Sequence, residues 1–432
     1  MRIGFVGLGN LGLPVALAMA GHVGEVVGTD AFPEVEGQIA RRELRHPEAG
    51  IDPAWWKRLA WAPSVRAVCA RADVIFIAVQ TPHGPEHEGI TRLPRGLADF
   101  DYRFLTAALA QVAEGLEQED RQATVAVIST VLPGTFARLL LPRRTPRMRG
   151  LLYTPAFIAM GTTVPDLLQP EFSVVGGSGL VQTLGRYDDA MPVVGIYRRL
   201  HAAPILVTDH LHAELVKMLY NTFIGLKIAF GNTVGDLCEA LGGDADVVVS
   251  ALSHATDRLI SARYLRPGMG DAGACHPRDA IAMAWLSDKL LGPRYNLFQT
   301  IMEVREAQTD LLATQVELAL FAHGLEPPVI LLGAAYKPDT DITTGSCTFL
   351  LASLLAERNV SRETFDPVAW PNQHGGIPNR PVLAVHCTAH AAFRELKLPE
   401  GSVVLDPWGT FLERPGVTVV RLGRRAAPAT WC

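Results

Sequence analysis

The chain has 432 residues, more than one ordinary core accommodates, so two or three domains are expected. Hydrophobic residues make up 48% and charged residues 19%, which excludes disorder as the main theme, and a net charge of -5 gives no overall drive towards nucleic acid or an acidic membrane. A small-molecule ligand is the expected partner, in a reduced cytoplasmic setting: Cys69, Cys238, Cys275, Cys347, Cys387 and Cys432 are scattered with no CxxC pair, and no uncharged apolar run reaches the ~18–20 residues of a membrane helix.

At the N-terminus, Arg2, an apolar stretch and Ala18-Met19-Ala20 imitate a secretory signal with its cleavage site. The competing reading, a strand running into a glycine turn and a helix, is favoured by the glycine spacing and an acidic residue downstream. From Met1 to about Val207, β-rich runs alternate with helical segments, the pattern of a parallel sheet with crossover helices. The expected strands are Ile3–Val6, Glu25–Thr29, Asp73–Val79, Ala123–Ser129, Gly150–Thr154 and Phe172–Val175. The spacing of apolar residues predicts a long helix over Leu211–Leu241, ended by Gly242-Gly243, then a second helix over Asp246–Leu259 and a loop over Arg266–Gly273. After about Glu303 a helix leads through Pro327-Pro328 into a strand over Val329–Gly333, followed by strands Val382–Val385, Ser402–Leu405 and Val417–Val420. The stretch from Val368 to Arg380 is the least regular. The predicted fold class is α/β: two Rossmann-like doubly wound domains, 1–207 and 305–432, joined by a central helical domain, 208–304.

Gly7-Leu8-Gly9-Asn10-Leu11-Gly12 is a GxGxxG directly after a strand, and Asp30 ends the next strand. The first glycine permits a tight turn, the second lets backbone approach a pyrophosphate, and the third lets the helix pack closely with its N-terminus facing the phosphates. Asp30 suits ribose hydroxyls, and neighbouring Ala31 and Phe32 supply no arginine for a 2′-phosphate, so NAD is favoured over NADP. The competing reading is a structural glycine turn. Cys275, in a loop close to His276, Arg278 and Asp279, has the surroundings of a stabilised thiolate nucleophile, against the alternative of a small buried apolar residue. Glu214, Lys217 and Asn221 fall on one face of the long helix. Lys217, flanked by Val216, Met218 and Leu219, suits a base or oxyanion partner whose pKa is lowered by desolvation; a solvated polar stripe is the alternative.

These constellations, with Val79-Gln80-Thr81-Pro82, Ser129-Thr130-Val131-Leu132-Pro133-Gly134-Thr135, Pro155-Ala156-Phe157 and Tyr336-Lys337-Pro338-Asp339-Thr340, resemble the UDP-glucose/GDP-mannose dehydrogenase family over nearly the whole chain. The resemblance implies oxidation of a sugar primary alcohol to a carboxylate with two NAD+, through a thiohemiacetal and a thioester on Cys275. Lys217 and Asn221 match residues that stabilise the oxyanion, Asp279 an acid/base carboxylate, and Thr130 a threonine that positions water or cofactor. The cofactor residues it implies are Gly7, Gly9, Asn10, Leu11, Gly12, Asp30, Val79, Thr81 and Thr130. Phe157, Lys217, Asn221, Arg258, Tyr264, Gly270, Gly273, Tyr336 and Lys337 align with substrate contacts, Arg258 reaching a partner subunit's site. The implied partners are a nucleotide sugar, foremost a UDP-sugar bound by the C-terminal domain, and a second copy of the chain joined through the central helix.

The sequence also departs from the family. Ala156 and Met160 stand where the family carries glutamates, His276 and Arg278 replace a phenylalanine and a lysine, and Thr344 replaces an arginine. These changes bear on thioester hydrolysis and on one cofactor contact. They leave open a member that oxidises another nucleotide-linked substrate or stops at the aldehyde, and a nucleotide-sugar-binding regulator without turnover.

Overall fold

The computed structural model describes residues 1–94, 96–177, 190–259, 261, 263–273, 275–292, 296–371 and 377–424, with the side chain of Arg258 outside the description. The chain folds as two units, one of residues 1–82 and 99–219, the other of 83–98 and 220–432.

The first unit is built on an eight-stranded sheet. Its strands are β1 (Ile3–Val6), β2 (Val26–Thr29), β3 (Leu59–Trp61), β4 (Val74–Ile77), β5 (Ala123–Val127), β6 (Met148–Tyr153), β7 (Ser173–Gly177) and β8 (Ile205–Asp209), in the order β3-β2-β1-β4-β5-β6-β7-β8. The continuous apolar runs of β1, β4 and β5 are buried throughout, as strands covered on both faces must be, and the rings of Phe5 and Phe76 stack at 5.2 Å between neighbouring strands. The order reverses at β1, which lies between β2 and β4, and a switch point of this kind is where open α/β sheets bind their ligands, outside the carboxyl ends of the strands. Helix α1 (Gly12–His22) follows β1 and buries its residues from Gly12 to Ala20.

Two features lie outside the expected pattern. β7 pairs with β6 antiparallel, through Tyr153 and Gly176, before β8 joins β7 in parallel. The short β3 and the half-exposed β8 are strands that the apolar pattern did not announce, because an edge strand need not be apolar on both faces.

Helix α2 (His210–Leu241) is the long helix expected from the spacing, and it passes from the first unit into the second. The single helix expected over 246–259 is two, Ala245–Ser253 and Thr256–Leu259. Asp244 caps the first through the N–H groups of Asp246 and Val247, and near its end the Ser253 hydroxyl donates to the Ser250 carbonyl, a local bond that competes with helix continuation. Then come α3 (His276–Leu291) and α4 (Leu297–His323). The latter starts six residues before Glu303 because Asn296 accepts the Gln299 N–H as its cap.

The second unit's sheet has β9 (Val329–Leu332), β10 (Arg362–Phe365), β11 (Leu383–His386), β12 (Val403–Asp406) and β13 (Thr418–Arg421), all parallel, in the order β10-β9-β11-β12-β13. It is a second doubly wound sheet, with its switch point between β10 and β11, at β9. Strand β10 was not anticipated: Arg362-Glu363-Thr364-Phe365 is too polar for an apolar-run criterion. Of the irregular stretch 368–380, residues 372–376 lie outside the described residues. The segment 83–98 is fixed to this unit by Arg305, whose guanidinium donates to the Gly89 carbonyl at 2.8 Å, and by Arg92, which pairs with Glu306, Asp310 and Glu357. No helix among the described residues is long and apolar enough to cross a membrane.

Candidate active site

In the first unit the glycine turn has the shape its spacing demands. Gly7 has φ of +95°, and a Cβ there would stand 2.6 Å from the Ala78 carbonyl oxygen; a Cβ on Gly12 would enter the contact shell of the Gly7 carbonyl. Gly9 differs, since a Cβ on it would meet no protein atom within 4 Å, so its missing side chain leaves open space at the mouth of the turn. Asn10 and Leu11 continue this turn into α1, whose N-terminus has no side-chain cap and no acidic residue in its first turn, an arrangement suited to an anion. Asp30, just beyond β2, accepts the Leu8 N–H at 2.7 Å and the Phe32 N–H at 2.9 Å. These bonds orient the carboxylate beside the turn and leave it lone pairs for ribose hydroxyls. The residues fit a dinucleotide with an unphosphorylated adenosine ribose.

After β4 and β5, the Thr81 hydroxyl donates to the Thr130 carbonyl at 2.8 Å and the Ser129 hydroxyl to the Val79 carbonyl at 2.6 Å, tying together the two loops that carry Val79, Thr81 and Thr130. Glu214 has a different task from its helix neighbours. It is 1% exposed and accepts the N–H groups of Gly134 and Phe136 at 2.7 and 2.8 Å, so it anchors the loop that follows Thr130, and burial pushes its pKa up to about 7. Lys217, 6% exposed, donates through Nζ to the Ala156 carbonyl at 2.9 Å and lies 5.3 Å from the centre of the Phe157 ring. The solvated-stripe reading of this helix face therefore fails for physical reasons: Glu214, Lys217 and Asn221 are all buried and hydrogen-bonded.

In the second unit, Asn221 donates to Asp279 Oδ2 at 2.7 Å, while Arg278 donates to Oδ1 at 3.1 Å; Asp279 has no exposed surface. Asp279 lies in the first turn of α3, where the helix dipole favours a carboxylate. Cys275 is the N-cap residue of this helix and is half-buried. The other cysteines among the described residues are buried, and burial raises the thiol pKa of each, that of Cys69 to about 12. Cys432 lies outside the described residues.

The glycine-rich loop before Cys275 is held from behind. Arg305 Nε donates to the Asp271 carbonyl at 2.6 Å, and a Cβ on Gly270 would approach Arg305 and Cys347. Gly273 has φ of +101°, and a Cβ on it would stand 2.9 Å from the Tyr336 ring, so only glycine lets Tyr336 lie against this loop. Lys337 Nζ is 5.6 Å from the centre of that ring. Tyr264 has a left-handed φ of +69° and is partly exposed beside Arg263. Arg258 falls in the short helix Thr256–Leu259, with its side chain outside the description.

Sequence reasoning missed three residues here. His83, directly after the Thr81-Pro82 motif, belongs to the second unit, where burial and the positive charge of Arg278 lower its pKa. Asp271 receives His276 Nδ1 at 2.8 Å. Asp366, just beyond β10, accepts the N–H groups of Ala334 and Ala335 and a bond from His390, fixing the chain just before Tyr336. Asp366 occupies the place in the second sheet that Asp30 occupies in the first, a signal that an unrecognised β10 concealed.

A doubly wound sheet with a glycine turn at its switch point and an aspartate after the second strand defines an NAD-binding α/β dehydrogenase unit. The chain belongs to the UDP-glucose/GDP-mannose dehydrogenase family: the family's NAD binding domain matches residues 1–190 and its central domain residues 211–307. It is an NAD-dependent oxidoreductase acting on CH–OH groups, of the nucleotide-sugar dehydrogenase type. It is similar to a UDP-glucose 6-dehydrogenase of Rickettsia conorii, 24% identical over 96% of this chain and 90% of that one. It is also similar to a GDP-mannose 6-dehydrogenase of Azotobacter vinelandii, 26% identical over 87% and 83%. Among solved structures, a UDP-glucose dehydrogenase from Pyrobaculum islandicum matches with a TM-score of 0.83, 27% identity and 98% of both chains covered.

Proposed function

We propose that the chain oxidises the primary alcohol of a nucleotide-linked sugar, foremost a UDP-sugar, to a carboxylate, with Cys275 as covalent nucleophile. The observation that carries this reading is the placement of Cys275: among the described cysteines it is the one that is half-buried rather than buried, and it opens a helix whose first turn holds Arg278 and Asp279, the latter bonded to Asn221. A cysteine sulfur that can be reached is what attacks an aldehyde to give a covalent intermediate.

The glycine turn and Asp30 hold NAD, with Val79, Thr81 and Thr130 on the adjoining loops. NAD supplies a hydride acceptor when bound. Cys275 Sγ forms a bond to the aldehyde carbon, giving a thiohemiacetal that can lose a second hydride and become a thioester. Lys217 and Asn221 are the donors assigned to the developing oxyanion, with Asn221 oriented by Asp279. Phe157, Arg258, Tyr264, Gly270, Gly273, Tyr336 and Lys337 are assigned to the substrate. The working division is cofactor domain 1–207, helical domain 208–304 and nucleotide-sugar domain 305–432.

A homodimer through α2 is part of the proposal. Leu219, Phe223, Phe230, Leu237 and Leu241 are exposed large apolar residues at spacings that share one side of that helix. A reducing, cytoplasmic setting keeps Cys275 a thiol. Following NADH with a panel of UDP- and GDP-sugars, and counting NADH per carboxylate, tests the reading; Cys275→Ser should keep the fold and NAD binding but form no acid. Acid formation at the wild-type rate by Cys275→Ser would remove the covalent mechanism.

A further inference from the structure

Each of the two doubly wound sheets carries an aspartate just past its second strand, Asp30 in the first unit and Asp366 in the second, and the two are used differently. Asp30 accepts two N–H groups and keeps lone pairs for a ligand, whereas Asp366 has no exposed surface. Its Oδ2 accepts the N–H groups of Ala334 and Ala335 at 2.6 and 3.0 Å, and its Oδ1 those of Val368 and Ala369 at 2.9 and 2.8 Å. Asp366 therefore holds protein, and one of the segments it holds leads directly into Tyr336 and Lys337.

We propose that His390 is a positioning residue for the nucleotide part of the substrate, because it clamps the turn that carries Tyr336 and Lys337. This rests on the assignment of those two residues to a nucleotide-linked substrate. His390 is buried in the loop after β11 and is bonded at both ring nitrogens. A backbone N–H only donates, so the 3.0 Å bond from the Asp339 N–H makes Nδ1 an acceptor and leaves the ring proton on Nε2, which donates to Asp366 Oδ2 at 3.1 Å. One side chain thus links the start of the segment, through Asp366, to its end at Asp339.

The turn needs such a clamp. Asp339 has a left-handed φ of +55°, a conformation that a residue with a Cβ adopts at a cost and keeps only where its surroundings impose it. Here they do. Besides the bond to His390, the Asp339 carboxylate accepts the Ala391 N–H at 3.1 Å, and the Tyr336 N–H closes the turn on the Ile342 carbonyl at 3.0 Å. The Thr388 hydroxyl donates to the Ala335 carbonyl at 2.6 Å, so the loop after β11 fixes both ends of the turn. Opening the clamp would release Tyr336 and Lys337, while the glycine turn of the first unit and the Asn221–Asp279 bond stay as they are. The loss should fall on substrate binding and spare the chemical step.

The test titrates UDP, GDP and NAD into the full chain by calorimetry, and adds urea midpoints and NADH kinetics with the substrate that the sugar panel identifies. A nucleoside diphosphate reports binding without the Cys275 chemistry. His390→Asn can set its amide oxygen near the place of Nδ1 and keep the acceptor for Asp339. His390→Gln can set its amide nitrogen near the place of Nε2, which keeps the donor to Asp366 but not the acceptor. Each variant loses one buried bond, so both should lower the urea midpoint to a similar degree. The nucleotide that wild type binds should be weakened by about 5- to 150-fold in His390→Gln, the effect of leaving one buried donor unsatisfied, and by no more than about threefold in His390→Asn. KM for the nucleotide sugar should follow, with kcat and NAD affinity within about twofold of wild type. Asp339→Gly suits the left-handed backbone and should fold, but it removes the acceptor for Ala391 and should also weaken the nucleotide severalfold. Wild-type nucleotide affinity in both His390→Gln and Asp339→Gly would overturn the clamp. So would affinity losses in His390→Asn and His390→Gln that merely track their urea midpoints, or a fall in kcat with KM unchanged. Failure of wild type to bind either UDP or GDP would instead overturn the substrate reading beneath it, so the two failures are distinguishable.

Discussion

Gly9 and Gly12 lie three residues apart in one turn, yet replacing each by alanine should fail in different ways. At Gly12 the new methyl would overlap the Gly7 carbonyl oxygen and come within 3.3 Å of the Ala78 side chain, both parts of the packed β1–α1 junction. Overpacking of this kind costs about 1–3 kcal/mol, so Gly12→Ala should lower the urea midpoint of the cofactor-free protein. At Gly9 a methyl meets no protein atom within 4 Å, and no left-handed φ opposes it. Gly9→Ala should therefore leave the midpoint unchanged or raise it slightly, because alanine reduces the freedom of the unfolded chain by about 0.4–1 kcal/mol. The cost appears only when a pyrophosphate approaches the backbone, and the same ~1–3 kcal/mol of crowding then weakens NAD by about 5- to 150-fold. Urea unfolding without cofactor, paired with calorimetric titration of NAD, separates the two effects. Wild-type NAD affinity in Gly9→Ala would refute the reasoning, as would a Gly9→Ala protein less stable than Gly12→Ala.

Coenzyme choice should follow Asp30: wild type should strongly prefer NAD+, Asp30→Ala should narrow the preference, and equal turnover with NADP+ by wild type would reject the assignment. Glu214 gives a pH dependence with a definite sign. Its pKa rises from 4.5 to about 7 on folding because it is buried, so the native state holds the proton more firmly than the unfolded chain. The stability this supplies is complete below the unfolded value, is lost as pH climbs through about 7, and amounts to roughly 3–4 kcal/mol at ~1.4 kcal/mol per pKa unit. Glu214→Gln should flatten that fall between pH 5 and 8, and parallel urea-midpoint curves for the two proteins would contradict it. Asn221→Asp would set a second carboxylate against buried Asp279, where the bond is now 2.7 Å, and should cost about 3 kcal/mol or more along with most of the oxidation rate; a wild-type urea midpoint would show that the pair is not constrained as described.

How much of this protein could be read in advance depended on where the controlling interaction lies along the chain. The nucleotide turn, Asp30 and the long helix were legible because each rests on local rules: glycine at forced backbone positions, apolar runs for doubly covered strands, and 3.6-residue spacing for a helix. The polar strand β10 and the edge strands β3 and β8 were not, since pairing with a neighbour, rather than their own composition, makes them strands. The antiparallel turn of β7 against β6 is a matter of topology, which residue pattern does not encode locally.

The same division runs through the candidate site. Sequence alone singled out Glu214, Lys217 and Asn221 as one face of a helix, because their spacing fixes that, and it singled out Cys275 by its polar neighbours. Only the tertiary structure separated their tasks: Glu214 binds the backbone of a distant loop, Lys217 reaches the Ala156 carbonyl, and Asn221 reaches Asp279. Asp271 and His276 were both visible as residues five apart, but their pairing depends on Arg305 and Cys347 holding the Asp271 backbone in place. Local propensity reports what a residue can do within one turn of itself; burial and partners set by residues tens or hundreds of positions away decide what each charged group does, since a buried polar atom must find its bond wherever the fold supplies one.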